Sequence, residues 1–237
     1  MLGFWRRSYE VLKTESVKAV KGTALTWQKE LPMLQLNTKE DLQKWVVGSD
    51  KDIGGNSDAK LEITPENVCR FYGNVCKDLP PIASEQAASG YAGMRSKVRG
   101  LTVFGTPNWD TSMFRFLALR VRGDNKKYFV NMQTEGVHPA DLWQHRLFLR
   151  NPGQWEVVMI PFRDFILTRK GIILEPQIEM NREKVKTVGF SLLAQSGPFS
   201  LEIDYITAIN TEETEGDWPR ITKPKKDKEK AQIEAAL

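Results

Sequence analysis

The residues that could carry chemistry in this chain are a histidine pair, a cysteine pair, some clustered carboxylates and a group of arginines. His138 and His145 are the only 2 histidines among 237 residues, and Pro139 interrupts any single helix that would set both on one face. Nucleophilic catalysis needs a base beside the nucleophile, and no G-x-S-x-G elbow is present to supply one. A metal is not expected at the histidines either, because other ligands are too few nearby. Glu202 and Asp204 stand in Leu201-Glu202-Ile203-Asp204-Tyr205, where period-two alternation puts both carboxylates on one strand face. Neighbouring carboxylates are the apparatus of a glycosidase, but the same pattern describes an outward polar face.

Asp50 and Asp52 precede Gly54-Gly55-Asn56-Ser57, an oxygen-rich turn that suits calcium or Asx-type capping, with a spacing that is not an EF-hand. Cys69 and Cys76 read as two small apolar side chains. If Gly73-Asn74 is a hairpin turn, the two cysteines also lie diagonally on one face, within reach of a disulfide. Phosphate-cradling loops are missing: Gly54-Gly55 lacks the P-loop pattern and no G-x-G-x-x-G opens a helix. No catalytic set, cofactor or metal is therefore expected.

The arginines belong to the most informative stretch, Phe114 to Glu135. Leu117, Leu119 and Val121 form one face of its first strand, and Phe116, Ala118, Arg120 and Arg122 form the other. After Gly123-Asp124, Tyr128, Val130 and Met132 alternate with Phe129, Asn131, Gln133 and Glu135. If the two strands pair as a hairpin, Arg120, Arg122, Asn131 and Gln133 make a polar strip that could bind a partner. Ordinary outward alternation of an antiparallel sheet explains the same residues.

Short β-type runs recur from Trp45 to Ile209: Leu61 to Ile63, Val68 to Val75, Tyr91 to Val98, Phe114 to Arg122, Lys127 to Glu135, Arg146 to Arg150, Trp155 to Phe162, Val185 to Ala194 and Phe199 to Ile209. Gly and Pro turn signals separate them, which predicts an all-β sandwich. Residues Pro139 to Gln144 are read as one short helical turn.

Ahead of the sandwich, residues 1–28 carry Phe4, Trp5, Val11 and Leu12 interleaved with Arg6, Arg7, Lys13, Lys18 and Lys21, which predicts a basic amphipathic helix. Phe4, Trp5, Arg6 and Arg7 are its candidate membrane- or partner-docking residues. The binding domain is assigned to 29–210. Residues 211–237, with Glu212, Glu213 and Glu215 and then five lysines, read as a charged tail.

Apolar residues at 41% and charged residues at 27% suit a globular domain, and the net charge of +4 is too mild to imply nucleic acid. No run of about 18 apolar residues marks a membrane-spanning helix. The start lacks the continuous apolar stretch of a secretory signal. Whether a targeting sequence is short, merged with the helical segment or already removed stays open.

Several segments, in order, resemble the complex I intermediate-associated protein family. They are Ser49-Asp50-Lys51-Asp52-Ile53-Gly54-Gly55-Asn56-Ser57, Gly90-Tyr91-Ala92-Gly93-Met94-Arg95-Ser96, Leu119-Arg120-Val121-Arg122-Gly123-Asp124, Tyr128-Phe129-Val130-Asn131, Trp155-Glu156-Val157-Val158-Met159-Ile160-Pro161-Phe162-Arg163-Asp164-Phe165 and Val188-Gly189-Phe190-Ser191-Leu192-Leu193. The resemblance implies a galactose-binding-like jelly roll without enzyme activity, in the mitochondrial matrix and at the periphery of the inner membrane. It further implies a chaperone-like assembly factor that binds membrane-arm subunits of complex I (NADH:ubiquinone oxidoreductase) together with other assembly factors. A carbohydrate-binding module is the alternative, with Trp109, Trp143 and Trp155 as residues that could stack on sugars.

Overall fold

The computed structural model describes residues 2–20, 29–78, 90–136 and 138–211. Apart from Thr211, the charged tail lies outside the described residues, as do 21–28 at the end of the basic N-terminal segment. In chain order the elements begin with α1 (Leu2–Val20), β1 (Glu30–Gln35), the single helical turn α2 (Lys39–Leu42), β2 (Trp45–Ser49), β3 (Asp58–Ile63), β4 (Cys69–Val75) and β5 (Ala92–Ser96). They continue with β6 (Phe116–Gly123), β7 (Tyr128–Thr134), β8 (Asp141–Leu147), β9 (Glu156–Pro161), β10 (Ile166–Arg169), β11 (Ile172–Ile173), β12 (Val185–Leu192) and β13 (Gly197–Ile209).

Two antiparallel sheets face each other. Sheet one has the order β3-β4-β13-β6-β9, with β1 added alongside the C-terminal half of β13. Sheet two has the order β11-β10-β8-β7-β12-β5-β2. Leu117, Leu119 and Val121 of β6 point into the space between the sheets, as do Tyr128, Val130 and Met132 of β7 and Val188, Phe190 and Leu192 of β12. Burying such side chains supplies most of the driving force for a sandwich, at roughly 1.5–3 kcal/mol each when burial is complete.

β13 keeps its apolar face inward through a change of parity. Phe199, Leu201 and Ile203 are buried, the register shifts between Ile203 and Tyr205, and Ile206 and Ala208 are buried beyond it. A bulge of this kind inserts one residue and so reverses which side chains face the core. On β12, Gly189 allows a close approach, since a Cβ there would meet the Met94 carbonyl oxygen of β5 at 2.4 Å.

The all-β reading holds, and three local readings are corrected. Residues Pro139 to Gln144 do not form a helical turn: Trp143 and Leu147 point inward with Gln144 and Arg146 outward, so period-two burial makes this segment β8. Gly73 and Asn74 lie within β4, opposite Phe199 and Pro198, so no hairpin turn occurs there. Cys69 is buried and Cys76 half-buried, and both are free thiols.

The third correction concerns the hairpin proposed for β6 and β7. β6 pairs with β13 and β9 in sheet one, whereas β7 pairs with β12 and β8 in sheet two. The connection at Gly123-Asp124 therefore crosses the sandwich. Asp124 holds it, accepting hydrogen bonds from the Tyr128 hydroxyl (2.8 Å), the Ser200 amide (2.8 Å) and the Lys126 amide (2.9 Å).

Candidate partner-binding surfaces

Because β6 and β7 belong to different sheets, Arg120 and Arg122 are not beside Asn131 and Gln133. The face assigned to each residue is right, and the single strip is not. Instead each sheet carries its own polar ladder on its outer surface.

On sheet one the ladder is ionic. Register places Glu62, Arg70, Glu202 and Arg122 in a row across β3, β4, β13 and β6. Arg70 donates to Glu62 (3.2 Å) and twice to Glu202 (3.0 and 3.1 Å), while Arg122 bonds Glu202 from the other side and reaches Glu66 at 3.0 Å. Next along β6, Arg120 pairs with Asp204, which also accepts from the Asn37 side chain at 2.9 Å. Both guanidinium groups then lie over the Trp155 ring, at 4.4 Å for Arg120 and 4.9 Å for Arg122.

This arrangement does not suit Glu202 to be the general acid of a glycosidase. A general acid needs a carboxyl group whose pKa is raised. Burial pushes that of Glu202 upward, but the hydrogen bonds from Arg122 and Arg70 outweigh it and hold the group below the ordinary value. Glu202 is thus a structural counter-ion between two arginines.

Sheet two carries a neutral ladder. Thr168 donates to Gln144, Gln144 to Asn131 and Asn131 to Ser191, each at 2.8 Å, across β10, β8, β7 and β12. Gln133 is separately tied to the Pro139 carbonyl at 2.8 Å.

The remaining candidates are also accounted for. Asp50 is 1% exposed, and its carboxylate accepts from the Ser57 amide and hydroxyl and from the amides of Gly90 and Tyr91, while Asp52 caps Ser49. Donors surround the Asp50 carboxylate, so the capping reading stands and the calcium reading does not. His138 accepts from the Ala140 amide at 3.1 Å. His145 sits between Phe148 and Phe165, where burial lowers its pKa. Trp109 is 8% exposed with Arg99 stacked 4.0 Å above it, and Trp143 is 5% exposed. Trp155 is half-buried, with the Arg120 and Arg122 guanidinium groups over its ring, so Trp109 and Trp143 are core residues and Trp155 carries cations where a sugar would stack.

At the N-terminus, the four docking candidates divide. Phe4 is half-buried and in edge contact with Trp5 at 5.5 Å, and Arg7 donates to the Leu101 carbonyl. Trp5 and Arg6 are exposed.

One feature absent from the sequence reading is a cleft of about 420 Å³ where β6 begins and β9 ends. Phe162 and Phe165 form its apolar floor, and Arg115, Arg163 and Arg182 line it with Glu179. Arg182 is fixed by a bond to the Phe114 carbonyl (3.1 Å). An apolar floor ringed by several guanidinium groups suits a segment that presents carboxylates beside apolar side chains. The only signal in the sequence was the alternation of basic and aromatic residues in Phe162-Arg163-Asp164-Phe165.

Comparison with known proteins adds a family and a fold. The model of the family described as Complex I intermediate-associated protein 30 matches residues 34–203, nearly the whole sandwich. Among curated relatives, the mitochondrial Complex I intermediate-associated protein 30 of Neurospora crassa is 36% identical over 87% of this chain and 84% of its own length. The mouse and Drosophila melanogaster proteins of the same name are 35% and 33% identical over 73% and 70% of this chain. The matches span only 54% and 58% of those two longer proteins.

Among solved structures, the family 11 carbohydrate-binding module of Clostridium thermocellum bound to a mixed-linked tetrasaccharide superposes with a TM-score of 0.53 at 14% identity, over 78% of this chain and 98% of that one. A family 11 module from a cellulosomal cellulase of the same organism gives 0.50 at 16% identity, over 75% and 94%. These are likenesses of fold, the galactose-binding-like jelly roll, and fold does not carry function.

Proposed function

Since the chain belongs to the complex I intermediate-associated protein 30 family, we propose that it is a mitochondrial assembly factor for respiratory complex I that acts by binding and not by catalysis. Its partners are then complex I subunits, and we place it in the matrix, holding a membrane-arm intermediate in a chaperone-like way alongside other assembly factors. The observation that carries this reading is the family match across residues 34–203, which covers both sheets of the binding domain. The geometry is consistent with it: Glu202 and Asp204, the neighbouring carboxylates of β13, are paired with arginines.

Of the two charged surfaces, the cleft at Arg115, Arg163 and Arg182 is the better docking site. Arginines of both surfaces already have partners, Arg163 with Asp164 and Arg182 with the Phe114 carbonyl among them, but the cleft is concave with Phe162 and Phe165 as its floor, whereas Arg120 and Arg122 lie on the outer face of a sheet. A partner entering the cleft meets cations above an apolar floor. The test is affinity capture from mitochondria with the full chain, the R115A/R163A double variant and the R120A/R122A double variant, each first shown to be folded. Recovery of membrane-arm subunits by the parent and its loss in R115A/R163A is the expected result. Equal recovery by R115A/R163A rules out the cleft, and absence of complex I subunits from the parent's eluate rules out the function.

A further inference from the structure

A grouping of exposed apolar side chains lies away from both ladders and from the cleft, where α1 meets the loop that follows β5. On α1 the ridge Trp5, Tyr9 and Leu12 follows i, i+4, i+7 spacing and is 63%, 63% and 52% exposed. The neighbouring ridge, Phe4, Ser8 and Val11, faces the domain. In the loop, Leu101, Val103 and Phe104 are 60%, 57% and 63% exposed. Exposed apolar patches of this kind mark interaction surfaces.

The two segments are joined. The Val103 amide donates to the Ser8 hydroxyl at 3.0 Å, and Arg7 donates to the Leu101 carbonyl at 3.3 and 3.4 Å. The loop tip is also fixed in shape. Thr102 and Gly105 exchange backbone hydrogen bonds at 2.9 and 3.1 Å, the Thr102 hydroxyl bonds the Gly105 carbonyl at 2.7 Å, and Gly105 adopts φ +91°. Glycine accepts that left-handed conformation without steric cost, so the turn closes tightly and holds Val103 and Phe104 at its end.

Charge tells which occupant fits. Arg6, Arg7 and Lys13 on α1 and Lys97 before the loop are exposed against the exposed acid Glu10 on α1, and no acidic residue occurs between positions 86 and 109. A protein core would not reward this excess of cations, whereas a surface that is apolar beneath and anionic above would reward both properties. Aromatic rings flanked by arginine and lysine match the headgroup level of a bilayer.

We propose that the face formed by Trp5, Tyr9 and Leu12 of α1 and the 101–105 turn docks on an anionic phospholipid bilayer, with Phe104 and Val103 entering the acyl boundary and the arginines and lysines meeting the headgroups. This peripheral membrane contact is independent of any complex I partner. It goes beyond the sequence expectation at Phe4 to Arg7, because the turn supplies half of the apolar surface.

The test is co-sedimentation of the purified full chain with phosphatidylcholine vesicles that contain or lack phosphatidylglycerol. Binding to the anionic vesicles, weakened by salt, and weak binding to the neutral ones is expected. The V103S/F104S variant, whose altered side chains are exposed and whose melting temperature should be unchanged, is expected to partition about tenfold more weakly. A W5S/L12S variant should show a comparable loss through α1. A parent chain that stays in the supernatant with anionic vesicles overturns the proposal, as does V103S/F104S binding equal to the parent. Loss of complex I subunits on V103S/F104S substitution with no vesicle binding by the parent would assign the patch to a protein partner and also overturn it.

Discussion

Arg122 and Glu202 are directly opposed cross-strand neighbours on the outer face of sheet one, and Glu202 is only 5% exposed because Arg70 closes over its other side. The pair is a structural clamp across the three central strands β4, β13 and β6. Its two members are not equivalent. Glu202 serves two arginines, whereas Arg122 keeps Glu66 and Trp155 if Glu202 is lost.

E202Q should therefore cost more stability than R122A. Removing a nearly buried carboxylate leaves two guanidinium groups facing each other, although both arginines are partly solvated and solvent screens the repulsion. A loss of about 2 kcal/mol is expected for E202Q and about 1 kcal/mol for R122A, read from urea denaturation at neutral pH. Equal losses would show that Glu202 does not bridge the strands.

Acid should weaken the fold in part through the same carboxylate. Glu202 has a folded-state pKa below its ordinary 4.5, so its contribution is fully present above pH 4.5 and disappears as pH falls through the folded value. The gap in melting temperature between parent and E202Q should accordingly shrink as the solution is acidified below pH 4.5. A gap independent of pH would mean that the ion pairs contribute nothing.

The sequence made the faces of β6 and β7 legible but not their partners. Alternation reports which side chains of a strand point inward, and Leu117, Leu119, Val121, Tyr128, Val130 and Met132 are all fully buried as their spacing requires. Pairing depends on whether the connection folds back or crosses over, and Gly123-Asp124 looks the same in both cases. The decision is made by Asp124 bonding Ser200, 76 positions away, which no local pattern records. The arginine cleft was illegible for the same reason, because Arg115, Arg163 and Arg182 come from distant segments. Helix α1 and the overall class were legible because they depend on local periodicity alone.

Asp50 should be the most sensitive carboxylate of the chain. Its D50A variant strands three backbone amides, those of Ser57, Gly90 and Tyr91, through which the 49–57 loop is fastened to residues 90 and 91, and leaves the Ser57 hydroxyl with Cys76 alone. A destabilisation of about 3 kcal/mol is expected by thermal unfolding, against well under half of that for D52A. Added calcium should leave the parent's melting temperature unchanged, and a calcium-dependent rise would restore the ion-binding reading of this loop.

Thiol reactivity should separate the cysteines. Cys69 is fully buried, and burial pushes its thiol up to about 12, which suppresses the reactive thiolate at neutral pH. Cys76 is half-buried, with its sulfur 3.6 Å from the Asp78 carboxylate. A thiol reagent followed by mass spectrometry should label Cys76 alone in the native protein and both after denaturation. Labelling of native Cys69 would show that β4 opens at its start.

β13 is the last strand among the described residues and also the centre of sheet one, pairing with β4, β1 and β6. During synthesis, or during threading through a membrane pore with the N-terminus leading, β3–β4 and β6–β9 must therefore wait as two separate ribbons with facing unpaired edges. Such edges invite pairing with other chains. A chain that stops before Gly197 should accumulate in aggregates, and the cell's chaperones would have to guard this protein until β13 arrives.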